Sequence, residues 1–237
     1  MYLTYYLLGI ILLPGIIFAI YAQSKVNTNF NKYKEVHYSQ TKPVHEKARF
    51  FLDAMGAYDV KVTRTSGHLT DHYNPKTQTV ALSDEVYNST SIASLGIACH
   101  EIGHVLQHKQ GYKLLKLRNF LIPIINIGSF LMWPLVILGL LLEFTSYFYT
   151  GQVLIIIGIV IFGLSVLFSA LTLPIEKDAS KRAYKMLVET GELTQEEGEG
   201  VKAVLNAAAL TYVASLVVSI LSFLRFVLAI FLSRKRD

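Results

Sequence analysis

A single cysteine, Cys99, excludes an intrachain disulfide and fits a reducing compartment. It adjoins His100 but faces elsewhere on a helix, so it reads as a small core residue rather than a ligand. Charge is also scarce, with Asp, Glu, Lys and Arg making up 16% of 237 residues. Residues 2–22, 119–142 and 151–173 carry none. A fourth apolar run covers residues 207–224 and continues past Arg225 to Leu232. Each run is long enough to cross a bilayer. The first has no basic n-region and no A-x-A cleavage site, and reads as a retained anchor rather than a removed signal peptide. The basic excess lies in residues 23–118, with 13 Lys and Arg against 8 Asp and Glu, and no aromatic-interleaved basic cluster accompanies it. That excludes nucleic acid as the partner and leaves juxtamembrane charge as the account. Spans nearly empty of ionisable groups offer little to a transporter, since pathways are marked by such groups. No internal repeat or low-complexity segment is present.

Basic residues near span ends should lie in the cytoplasm. Lys25, Lys32 and Lys34 follow the first run, Lys109, Lys113, Lys116 and Arg118 precede the second, and Lys177, Lys181, Arg182 and Lys185 follow the third. The turn at 143–150 has none, so both polar regions are expected inside. A fourth full crossing would place the basic tail outside, against the rule. Arg225 leaves open a broken or interfacial last helix.

The polar regions carry their own signals. Residues 44–55 read as a helix stopped by Gly56. DVKVT (59–63) and TQTVALS (77–83) have strand character, with YNPK (73–76) as a turn between them. TQTVALS is expected as an open edge to which an extended peptide could add. His68, Asp71, His72 and Tyr73 read as a satisfied loop network, with lining the cleft as the alternative. His37 and His45 read as surface residues. Residues 90–110 are helical, with Gly111 as C-cap. Pro174 is expected to open a helix through about Val188, and Thr194 with Glu197 forms a capping box for the last one. The outline is an α-helical membrane protein with about four transmembrane segments and a small α+β unit split by a transmembrane hairpin. Its parts are an anchor (1–22), a polar region (23–118), a hairpin (119–173), a second polar region (174–206), and a last span with basic tail (207–237).

The helix at 90–110 contains H-E-x-x-H, as His100, Glu101 and His104. Positions i and i+4 share one face about 6 Å apart along the axis, so both imidazoles can reach one ion. Glu101, beside that face, can reach an activated water without binding the metal. Chance placement would give on the order of 0.01 such patterns in a chain of this composition. A third ligand is needed. His108 lies about 12 Å beyond His100 along the axis and cannot serve. The longer metzincin pattern fails because positions 107 and 110 are Gln. Glu176, just past the third span on the segment that returns to the same side, suits a ligand, with Asp178 as a carboxylate accepting from a ligand imidazole. Both could instead merely complement a helix dipole. Tyr212 and His72 are candidates for stabilising the oxyanion.

GHLTDHYNP, LSDEVYN, ACHEIGHVLQH, LPIEKDASKRA and AAALTYVA, in this order over nearly the whole chain, resemble the bacterial family of membrane-bound neutral zinc metallopeptidases. That family is distantly similar to the heat-shock membrane proteases and CAAX prenyl proteases. The resemblance implies a zincin-like fold and one Zn2+ per chain on His100, His104 and Glu176, with Glu101 as general base. It implies a gluzincin-like endopeptidase in the bacterial cell membrane, its catalytic part on the cytoplasmic side, acting on protein or peptide substrates. The heat-shock relatives carry an acidic residue four positions after the ligand Glu, where this chain has Ser180. The alternative is a zinc-binding pseudo-protease or membrane scaffold, for which an intact Glu101 would have no use.

Overall fold

The computed structural model describes residues 9–38, 42–191 and 193–234. In chain order its elements are α1 (Leu13–Tyr33), α2 (Val44–Ala54), β1 (Lys61–Thr65), β2 (His72–Asn74), β3 (Thr79–Ser83), α3 (Asp84–Tyr87), α4 (Ile92–Lys109), α5 (Lys113–Leu142), α6 (Phe148–Glu189) and α7 (Gln195–Arg234). They divide into two compact units. One is drawn from Met1–Ile20, Lys116–Leu173 and Tyr212–Asp237, the other from Tyr21–Leu115 and Pro174–Thr211.

The first unit holds the apolar runs. Among the described residues three helices are long and apolar enough to cross a membrane, within Lys113–Leu142, Phe148–Glu189 and Gln195–Leu232. Of the anchor expected at 1–22, residues 1–8 lie outside the described residues. α5 and α6 approach closely at paired glycines. A Cβ on Gly139 would stand 2.8 Å from the Gly151 carbonyl oxygen, and one on Gly151 2.5 Å from that of Gly139. Small residues of this kind let apolar helices bring their backbones together. Phe226 joins α7 to the other two, with its ring 5.9 Å from Trp133 and 5.5 Å from Phe162. α7 is unbroken through Arg225, so the alternative of a helix interrupted there falls.

The second unit is an α+β assembly. Its sheet has the order β1-β3-β2, with β1 parallel and β2 antiparallel to β3. The central place of β3 matches its burial, four of its five residues being buried, whereas no residue of β1 is more than half-buried. This corrects the expectation of an open edge at TQTVALS. β3 is flanked on both sides, and the edges are β1 and β2. Phe51 and Leu52 from α2, Leu82 from β3, Ile92, Leu95 and Ile102 from α4, and Leu187 from α6 make one core. A helix apolar on most sides is built to be enclosed, and α4 is the centre of this core. Ser91 caps its start by accepting from the Ser94 N–H. At its end Gly111 turns at φ +66° while Tyr112 N donates to the Gln107 carbonyl, which closes the helix as a glycine C-cap does.

Two further expectations change. Pro174 opens no helix, because it lies inside the 42-residue α6. A proline costs its helix one hydrogen bond, and here the segment after it is held by core contacts of Ala183, Met186 and Leu187. His45 is half-buried, its ring stacked 4.3 Å from Tyr87, while His37 is exposed as expected. The capping box forms as read, with Thr194 N donating to Glu197 Oε2 at 2.6 Å and Glu197 N donating to Thr194 Oγ1 at 3.3 Å.

Candidate metal centre

α4 presents His100 and His104 one turn apart, their ring centroids 4.9 Å from each other. Glu176 on α6 meets both. Its Oε2 lies 3.2 Å from His100 Nε2 and 3.3 Å from His104 Nε2. One ligand atom from each residue falls within 4.8 Å of the other two. Side-chain exposure is 14% for His100, 12% for His104 and 4% for Glu176, so the cluster is largely enclosed, with both imidazoles still partly exposed. A tetrahedral zinc with bonds of about 2.0–2.1 Å has ligand-to-ligand edges of about 3.3–3.4 Å. The two spacings to Glu176 already match that edge, and two imidazoles with one carboxylate are a zinc donor set. The residues fit the ion.

The electrostatics follow from this enclosure. Burial opposes a charge on Glu176, but hydrogen bonds from His100 and His104, and their Coulombic pull, outweigh it and hold the carboxyl well below the usual carboxylate range. Burial likewise opposes an imidazolium at His104. Its hydrogen bond to Glu176 and the charges of Glu101 and Glu176 overcome that and raise its pKa. Glu101 is 8% exposed, next to His100 on α4 and outside the three converging ligand atoms. Asp71 is within electrostatic reach of Glu101. Burial raises the Asp71 carboxyl against the opposing hydrogen bonds from Ser83, and the Glu101 charge adds to the rise.

Each imidazole is oriented from behind. His104 Nδ1 lies 3.0 Å from Oε1 of Gln107, a fully buried side chain. The amide can face only one way, because Gln107 Nε2 donates to the Ile175 carbonyl and to Asp178 Oδ2, both at 2.8 Å. Gln107 therefore accepts the Nδ1 proton of His104 and leaves Nε2 to the ligand cluster. Asp178 was expected to accept from a ligand imidazole directly. It acts one step further back, anchoring Gln107 and accepting from Arg182 Nε at 2.5 Å. His100 Nδ1 faces Ser180 Oγ at 3.1 Å, so Ser180 takes the place of the relatives' acidic residue with a neutral partner.

Neither oxyanion candidate is among the converging ligand atoms. His72 is exposed on edge strand β2, its Nδ1 2.9 Å from the Thr70 carbonyl oxygen. Tyr212 belongs to the unit of apolar helices. The polar loop is satisfied by separate pairs. His68 pairs with Glu85 at 2.7 Å, Asp71 accepts from Ser83 N and Oγ at 2.8 and 2.9 Å, and the Tyr73 hydroxyl meets His108 Nδ1 at 2.9 Å.

Gln107 and Gly103 escaped the sequence reading. A wholly buried amide at i+3 from a ligand histidine was the available signal for the first. The second sits between the ligands, where a Cβ would stand 2.4 Å from the Ala179 carbonyl oxygen on α6.

No solved structure matches the chain. It is 42% identical over 219 residues to the "Putative membrane protease YugP" of Bacillus subtilis (strain 168), covering 92% of this chain and 94% of that protein. A model of the family described as "Putative neutral zinc metallopeptidase" matches residues 8–231, a stretch that contains the histidine helix, Glu176 and all but the last residue of the three candidate spans. The chain belongs to this neutral zinc metallopeptidase family and is a zinc-dependent membrane protease.

Proposed function

We propose that the protein is a zinc metalloendopeptidase in which His100, His104 and Glu176 hold the ion and Glu101 is the general base. The observation that carries this reading is the meeting of two Nε2 atoms on one carboxylate oxygen at the edge length of a zinc tetrahedron. Zinc bound there supplies a Lewis acid that polarises the scissile carbonyl and makes water nucleophilic near neutral pH. Glu101 takes the water proton and delivers it to the leaving amine nitrogen. Gln107 and Ser180 fix the ring orientations, so the two Nε2 lone pairs converge without rotamer search. His72, on β2 of the same unit as the ligands, is the candidate for contact with the oxyanion. The substrate is a peptide or protein, and the bilayer surrounds residues 119–173 and 207–232, with an anchor at 1–22. Lys and Arg at the span ends support a cytoplasmic position for residues 23–118 and 174–206.

Elemental analysis of detergent-purified full-length protein tests the ligand set. About one zinc per chain is expected in the wild type and far less in Glu176→Ala, since two protein ligands do not retain a catalytic zinc through purification. Equal zinc in both would remove Glu176 from the site.

Gln107→Leu keeps the side chain's size and removes the acceptor behind His104. Zinc affinity, measured by competition with a chromophoric chelator, is expected to fall by about 10–100-fold, the usual cost of a lost outer partner. An unchanged affinity would reduce Gln107 to packing.

A further inference from the structure

Arg225 is the one charged residue inside the apolar runs, and hydrolysis as described has no use for it. It lines a half-open cavity of about 530 Å³ among α5, α6 and α7, with Trp133, Val136, Phe162, Phe226 and Ile230. Only Ser222 adds another polar side chain to that wall. Among the described residues no carboxylate pairs with Arg225. None could from these runs, because no acidic residue occurs between Glu143 and Glu176 or between Glu199 and Asp237. A guanidinium in such surroundings requires an anion or a route to water.

Its depth narrows the choice. Trp133 lies nine residues before the end of α5, about 14 Å of helix rise. Leu232, the end of the apolar run on α7, is seven residues past Arg225, about 10 Å. Arg225 therefore sits below the lipid headgroups of one leaflet, at a distance its long side chain partly spans by snorkelling. The walls beside it are aliphatic and aromatic, and the neighbouring outer faces expose Leu138, Ile137 and Val160. A ligand that answers both features has an anionic head and a hydrocarbon body. Guanidinium binds phosphate through two parallel hydrogen bonds, which favours a phosphate head.

We infer that this cavity is a binding site for an anionic phospholipid, the phosphate on Arg225 and an acyl chain along Trp133, Phe162 and Phe226. The inference is independent of the zinc site, which lies wholly in the other unit.

Native mass spectrometry of the full-length protein in detergent, titrated with dioleoyl phosphatidylglycerol and separately with dioleoyl phosphatidylcholine, tests it. The wild type is expected to bind phosphatidylglycerol roughly tenfold or more tighter than phosphatidylcholine, the step one charge-assisted contact provides. Arg225→Gln and Arg225→Met should each bring phosphatidylglycerol down to the phosphatidylcholine level, while Arg225→Lys keeps part of the preference. Phosphatidylglycerol should raise the melting temperature of the wild type and not of Gln or Met variants. Both variants remove an unpaired charge from an apolar setting, so they are expected to fold at least as well as the wild type. Equal affinity for the two lipids in the wild type, or an unchanged preference in the Gln and Met variants, overturns the inference. Dimers that dissociate in those variants would assign the cavity to a second copy of the chain, and would overturn it too.

Discussion

Replacing Glu101 with Gln is expected to leave about one zinc per chain and to lower peptide hydrolysis by roughly 10²–10⁴-fold, the contribution of a positioned general base. The separation of the two effects follows from geometry. Glu101 is one residue on from His100, so its side chain is rotated about 100° off the ligand face, and it lies outside the three converging ligand atoms. Gln has the same shape and fills the same nearly enclosed space, so packing changes little. What the amide cannot do is take a proton and return it. Wild type and variant, purified in parallel, would be compared by elemental analysis and by digestion of a peptide library read by mass spectrometry, with chelator-treated wild type as the blank. Hydrolysis at the wild-type rate in the variant would sink the role of Glu101. Loss of zinc along with activity would make Glu101 a ligand and require the site to be redrawn. The same pair of measurements separates the enzyme from a zinc-binding scaffold, because a scaffold would lose nothing by the change.

Much of this site could be read from local pattern, and the reason is its periodicity. His100 and His104 are four residues apart, and that spacing becomes proximity wherever a helix forms, whatever packs around it. The capping box at Thr194 and Glu197 and the glycine stop at Gly111 are local in the same way. Glu176 required a further step, the return of the chain through the hairpin, and its nearness to the histidines bridges sequence separations of 76 and 72. Ser180 acts only through a contact across the α4–α6 interface, so no spacing rule exposes it, and Gln107, though at i+3 from His104, is fixed by Ile175 and Asp178 only once α6 packs on α4. Gln107 rules out the longer H-E-x-x-H-x-x-G-x-x-H pattern, which requires a glycine there, yet the buried amide is the group that orients His104. β2 went unread because three residues, His72–Asn74, are too few for alternation to register. Pro174 misled because a proline is a helix starter by propensity and a tolerated interior residue where packing carries the helix.

Gly103 yields the second large effect. Gly→Ala inside a helix ordinarily stabilises by about 1 kcal/mol, through backbone entropy. At Gly103 the sign should reverse. The added Cβ would stand 2.4 Å from Ala179 O, 3.0 Å from its carbonyl carbon and 3.1 Å from its Cα, all of them backbone atoms that no rotamer change can move aside. α4 and α6 must separate by roughly half an ångström or more to relieve this, and overpacking of this kind costs about 1–3 kcal/mol. Ala179 is three residues from Glu176 on the same helix, so the displacement reaches the carboxylate that meets both histidines. Zinc sites tolerate about 0.2 Å in ligand distance. Gly103→Ala is therefore expected to weaken zinc binding by more than the roughly 10–100-fold of a lost outer partner, and to lower the melting temperature of the purified protein. Gly96→Ala, on the same helix, is the control. Its Cβ would meet only the Val201 side chain, at 3.1 Å, a contact that a small shift relieves, so zinc should stay. If Gly103→Ala keeps full zinc affinity while Gly96→Ala behaves alike, the close crossing of α4 and α6 is not what sets the metal geometry. The H-E-x-G-H spacing of this chain would then owe its glycine to something other than the approach of Glu176.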